Sequence, residues 1–178
     1  MFLTNLLRSI IFAVAAVFLI FIQDHSVVLG ATVLLFVSAL VGFSGLVGVV
    51  RKEAGEKFAV NLFAAIISLT VSMFLLTTNG FLGLQNTAAD LIVFRILVAV
   101  FIVALAVSEY VQSFRAEPGD RLEFRISAFL GFLATAIFAL APLNDVNAVG
   151  FLSAYFALSA AQRGIWLATP GKKVRNGK

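Results

Sequence analysis

Six apolar runs, roughly 9–23, 27–50, 58–77, 91–113, 126–142 and 147–168, divided by short polar punctuation, constrain this chain more than any other feature. Most are close to the ~20 residues that carry a helix across ~30 Å of hydrocarbon. No water reaches a stray N–H or C=O inside lipid, so only helices and closed barrels cross it. The runs lack the period-two alternation of a barrel strand, and helices are predicted throughout. Charged residues make up only 12% of the chain. A water-soluble domain carries about twice that share, so there is too little polar surface here to wet a globule. The expected fold class is all-α, a polytopic membrane protein with six transmembrane helices.

The first run, with Arg8 before it, has the look of a signal-peptide core. Its length, and the Gln23-Asp24-His25 that follows in place of a small-residue cleavage site, predict a retained helix instead. Measured from Arg8 to Asp24 it is short, so Arg8 is expected to snorkel toward the headgroups.

Orientation follows from the cations. Arg8 precedes the first run; Arg51, Lys52 and Lys57 follow the second; Arg115, Arg121 and Arg125 follow the fourth. Arg163 lies near the end of the sixth, and Lys172, Lys173, Arg175 and Lys178 form the tail. Every Lys and Arg except Arg95 is on or near one side, while the opposite loops hold Asp24 with His25, Asp90 and Asp145. The positive-inside rule places the basic side, with both termini, in the cytoplasm of a bacterial inner membrane. Trp166 and Tyr110 fall near that boundary, where amphipathic rings collect. The expected organisation is one membrane domain over 1–170 and a basic tail, 171–178, that meets anionic headgroups.

The domain reads as one helical hairpin used three times, over about 4–52, 57–115 and 121–170. Arg8 with Phe12 matches Arg125 with Phe129; an acidic turn follows in each (Asp24, Asp145), then Gly30 or Gly150, then Phe36 or Phe156. All three hairpins enter and leave on one side, making them parallel repeats, whereas inverted repeats are the commoner mark of alternating-access transporters. The Arg-opened hairpin, the short acidic turn and the stretch Ser159-Ala160-Ala161-Gln162-Arg163-Gly164-Ile165 together resemble the HdeD family. These are short six-helix bacterial membrane proteins associated with acid resistance. The resemblance covers most of the chain, best in the first and third hairpins; the second run has Gly42-Phe43-Ser44-Gly45 where the sixth has Gln162-Arg163-Gly164. It implies the six-helix fold and a stress-related role, and carries no catalytic residues with it.

Association of helices in lipid relies on small residues that let backbones approach. The fifth run has Ser127, Gly131, Thr135 and Ala139 at four-residue spacing; the third offers Ala64, Ser68 and Ser72; the sixth, Ser153, Ala157 and Ala161; the second, Ser38, Gly42 and Gly45. These stripes are expected to pack helices within the chain, or else to meet a membrane-protein partner or a second copy. The bulky Phe population would mostly face lipid.

Few residues invite chemistry. Without cysteine, and with His25 as the single histidine, thiolate, disulfide and His-cluster metal sites are excluded, and no cofactor or metal is expected. Gly42-Phe43-Ser44-Gly45 matches the Gly-x-Ser-Gly signature of rhomboid-type proteases, which need a histidine to activate the serine. His25 belongs to the opposite side, on the order of 25 Å away along the helix, so the glycines read as packing residues and no catalytic residue is assigned. Arg95 is a lone cation inside the fourth run. It either snorkels outward or pairs with Asp90, Asp24 or Asp145, or it centres a site for an anionic ligand or lipid headgroup. Glu109 and Arg163 are expected to form an ion pair with each other or with loop charges; the sharper alternative is a proton-sensing carboxylate. Asp24, Asp90 and Asp145 read as solvated turn formers. The segment Thr77–Gln85 is expected to lie in the outer interface as a lid, the alternative being a re-entrant element that dips into the membrane. Membrane lipids are the expected partners, and nucleic-acid binding lacks a folded platform. The expected function is that of a non-enzymatic accessory or scaffolding protein; the alternative is a small transporter or lipid-binding protein centred on Arg95.

Overall fold

The computed structural model describes residues 2–22, 25–50, 58–77, 88–116 and 118–168. They form six helices: α1 (Phe2–Phe21), α2 (Val27–Val50), α3 (Phe58–Thr77), α4 (Ala88–Arg115), α5 (Pro118–Leu140) and α6 (Asp145–Ala168). Five of them, α1 to α5, are long and apolar enough to cross a membrane. α6 is as long as α2 but less apolar, diluted by Asn147, Ser153, Ser159, Gln162 and Arg163. The protein is therefore an all-α, polytopic membrane protein. The predicted lid over 77–85 apart from Thr77, which ends the third helix, the basic tail 171–178, Asp24, and the loop cations Arg51, Lys52 and Lys57 lie outside the described residues.

The helices outrun the apolar stretches that announced them. α1 begins seven residues before its predicted start, and α5 eight before. Hydropathy marks where a helix meets lipid, but backbone hydrogen bonding continues through polar residues. Local sequence explains several ends. Pro118 opens α5, where a missing N–H costs nothing, with Asp120 in the first turn facing the positive end of the dipole. Asn144 caps α6, its Oδ1 accepting from the Asn147 N–H at 2.8 Å, and the Ser26 hydroxyl does the same for the Leu29 N–H of α2 at 3.3 Å.

The chain winds as a closed ring. Each helix packs on its sequence neighbours, α1 closes on α6, and α2, α4 and α6 also touch one another across the middle. Neighbours run antiparallel: along α1 and α6, Ser9 donates to the Ala160 carbonyl at 3.1 Å and Ser153 to that of Ala16 at 3.4 Å. The closest pairings are α4 with α5, α2 with α3 and α1 with α6, whereas consecutive α5 and α6 touch least among ring neighbours. The hairpins suggested by the sequence are thus units of chain topology and not of packing. The matched residues also sit in unlike places. Arg8, Phe12, Gly30 and Phe156 are buried, while Arg125, Phe129, Gly150 and Phe36 are exposed.

Small residues set the close approaches. A Cβ on Gly131 would stand 2.7 Å from the Cβ of Ala106, so α4 and α5 meet nearly backbone to backbone there. On α2, a Cβ at Gly42 would fall 2.6 Å from Leu69 Cγ of α3, which makes this glycine of the Gly-x-Ser-Gly stretch a packing residue. Between these contacts the core fills with Phe12, Phe94, Phe101, Phe138 and Phe156, all fully buried, while ten other phenylalanines are exposed on the outer face. Most of the Phe population therefore faces outward, and a minority builds the core.

Gly131→Val should separate α4 from α5 and cost about 1–3 kcal/mol, read as a lower unfolding midpoint in detergent. Gly150→Ala meets nothing within 4 Å and should be neutral or stabilise by up to about 1 kcal/mol.

Candidate functional site

A stratum of polar side chains crosses the bundle near the end where α1 begins. It lies about two helical turns inside the helix termini, a depth of roughly 9 Å at 1.5 Å per residue. Glu109 of α4 and Arg163 of α6 form a buried ion pair, Arg163 Nη2 donating to Glu109 Oε1. Ser127 of α5 donates to the other carboxylate oxygen, and Arg163 Nη1 reaches Asn5 Oδ1 of α1 at 3.4 Å. The Arg163 guanidinium also stands over the Phe12 ring, 5.8 Å from its centroid, close enough for the ring face to attract it. One carboxylate thereby ties α4, α5 and α6 together, and its partner arginine adds α1. Exposure is 4% for Glu109 and 8% for Arg163, which makes the pair expensive to separate.

Arg8 joins this cluster. It was expected to snorkel, yet it is only 3% exposed. The reason lies in the extra turns at the start of α1: Arg8 sits two turns in, on the stripe Arg8, Phe12, Ala15, Ala16 and Leu19 that the other helices cover. Its charge is within electrostatic reach of Arg163, Glu109 and Tyr155. On α4 Gln112, also buried, donates to Asn61 Oδ1 of α3 at 3.1 Å and to Ser108 Oγ at 3.0 Å, so polar side chains also join α4 to α3.

The other two predicted site residues lie at the opposite end. Arg95 is seven residues into α4, deeper than the apolar run implied. Its guanidinium covers the C-terminus of the shorter α5: Nε donates to the Phe138 carbonyl at 2.9 Å, and Nη2 to those of Ala141 at 2.6 Å and Ala139 at 3.4 Å. A helix C-terminus leaves carbonyls unmatched and carries a partial negative charge, so this cation satisfies both. Beside it runs a groove of about 340 Å³, lined by Ile92, Ile96, Ala99, Val100, Phe138 and Ala139 along with Arg95. Asp90 lies in the first turn of α4, where a negative charge suits the positive end of the dipole. The four predicted residues are thus two separate pairs, one at each end.

Ser44 donates to the Val41 carbonyl of its own helix at 2.8 Å and is buried. No group of three His, Cys, Asp or Glu side chains among the described residues is placed to hold a metal. Arg8, Asn5, Ser127 and Gln112 are the members that sequence reasoning missed. A signal existed for Arg8, because Asn5, Arg8, Phe12, Ala15 and Leu19 follow the three- and four-residue spacing of one helix face. Comparison with protein-family models, curated proteins and solved structures finds no match.

Glu109→Gln should leave two buried guanidiniums facing a neutral amide, costing about 3–5 kcal/mol. The double variant Glu109→Leu/Arg163→Met should recover most of that loss. Unfolding midpoints of the two variants, measured side by side, check both statements.

Proposed function

We propose that this chain is a non-enzymatic accessory or scaffolding protein of the bacterial inner membrane, stress-related as its HdeD-like features imply. It works through membrane lipids and through a protein partner or a second copy of itself. The observation that carries this reading is how the reactive-looking side chains are used. Ser38, Ser44 and Ser68 donate to carbonyls of their own helices, Arg95 holds the end of α5, and Glu109 is shared between Arg163 and Ser127. Groups that do covalent or proton-transfer chemistry elsewhere are engaged here within their own helix, as the serines are, or in holding helices together, as Arg95 and Glu109 are. Around them lies a broad apolar exterior, including Ile10, Val14 and Phe18 of α1 and Phe63, Ile66 and Phe74 of α3. The charge asymmetry of the sequence orients the end bearing Arg8, Arg121, Arg125 and Arg163 toward the cytoplasm.

The groove beside Arg95 favours a second reading, a lipid-binding or small transport protein. An acyl chain suits the apolar walls, and the guanidinium suits an anionic headgroup.

Extraction in a gentle detergent followed by native mass spectrometry separates the two. A stoichiometric protein partner or a homo-oligomer supports the accessory role, and a lone chain across several gentle detergents argues against it. A specific anionic phospholipid retained by the lone chain, and lost on Arg95→Gln, supports the second reading. The absence of cysteine makes orientation directly testable. A cysteine at Asn147 should label from the periplasm in intact spheroplasts, and one at Asn176 only after the membrane is opened.

A further inference from the structure

Arg95 is a cation inside the apolar part of the bundle, and one of its donors is left over. It stands seven residues into α4 and four into the apolar run, on the order of 6 Å below the hydrocarbon edge. Its bonds among the described residues are all to carbonyls, Nε to Phe138 and Nη2 to Ala139 and Ala141. Those two nitrogens form the edge of a guanidinium that grips paired oxygens, so that edge is closed to a ligand. Nη1 remains, without a hydrogen bond among the described residues and not buried. A helix C-terminus supplies only about −0.5 of a charge, so roughly half of the guanidinium charge is unmatched by the carbonyls. Asp90 and Asp145 do not line the groove beside it; each lies in the first turn of its own helix, and Asp90 has an interaction of its own.

The groove has room for one chain. From Arg95 it runs deeper along Ile96, Ala99 and Val100 of α4, with Phe138 and Ala139 of α5 as the facing wall, and no lining residue is acidic. Ile96 and Val100 are both exposed, so the trough opens sideways to lipid. Its volume of about 340 Å³ holds about eleven water-sized groups of ~30 Å³ each. That is the bulk of a single hydrocarbon chain. Depth then selects among anions. A phospholipid keeps its phosphate outside the hydrocarbon, and drawing it down to Arg95 thins the bilayer at a cost. A fatty acid has no headgroup above its carboxylate to hold it there.

We propose that the Arg95 groove binds a long-chain fatty acid as its carboxylate. One carboxylate oxygen accepts from Arg95 Nη1, and the chain lies along Ile96, Ala99 and Val100 toward the middle of the membrane. The proposal rests on the second reading above and narrows its ligand to a single-chain carboxylate.

The test uses the full chain in dodecyl maltoside, with palmitate carrying a mid-chain diazirine as probe and mass spectrometry to map the adducts. Illumination should label Ile96, Ala99 or Val100 saturably. Unlabelled palmitate should compete, and hexadecanol, a chain of the same length without charge, should compete about tenfold more weakly or worse. Arg95→Gln should weaken palmitate by about 10–100-fold, the size of a charge-assisted hydrogen bond. Val100→Trp fills the groove, leaves the Arg95 bonds to α5 in place, and should abolish the labelling even if Arg95→Gln fails to fold. If phosphatidylglycerol or hexadecanol displaces the probe as readily as palmitate does, the carboxylate is not what is recognised. Lipid binding then stands and this proposal falls. If adducts spread over the lipid-facing helices without saturation, the proposal falls as well. A phospholipid retained in that case keeps the second reading, and its absence removes both.

Discussion

Moving an apolar side chain from lipid to a helix interface exchanges one hydrocarbon surrounding for another, so hydrophobicity alone does not hold six such helices together. Cohesion has to come from backbones approaching closely enough for dispersion contacts, or from polar groups that have no other partner in lipid. The bundle uses both, in different places. Gly131 against Ala106 and Gly42 against Leu69 bring α5 onto α4 and α2 onto α3. α1 is held to α6 by side-chain hydrogen bonds to opposing carbonyls and by the stacking of Phe12 on Phe156, with centroids 5.3 Å apart. These are the three tightest pairings of the ring, and all three join helices from different predicted hairpins.

The two ends of the bundle follow different rules. Toward the end where α2, α4 and α6 begin, the middle is filled by rings and branched chains. Gly30 meets Phe94 and Val149 there, so the three inner helices come together at an apolar contact. Toward the other end the same helices are bridged by charge, with Glu109 and Arg163 at the centre and Arg8 alongside.

Much of the architecture was legible before any coordinates. Helix number and type follow from run length, and the stripe Ser127, Gly131 and Thr135 announced the face on which α5 meets α4. The ion pair of Glu109 with Arg163 was legible as well, since both residues lie near the same end of long helices. Arg95 was legible as an anomaly but not in its role. A hydropathy profile shows a cation at depth and says nothing of which helix ends beside it; the relevant carbonyls belong to Phe138, Ala139 and Ala141, more than forty residues away. Arg8 was the clearest miss. Judged against the apolar run alone it sat at a boundary, and only the earlier start of α1 moved it inside.

Run length and charge distribution are local or additive properties, and the sequence by itself determined what depends on them: six helices, an apolar exterior and one strongly basic side. Which helices pair most tightly, which arginine is buried and which caps a neighbour, and whether matched residues in successive hairpins share an environment were decided only by the tertiary structure. Those outcomes depend on helix rotation and relative height. A rotation of one residue position, ~100°, exchanges a lipid-facing side chain for a buried one without altering hydropathy at all.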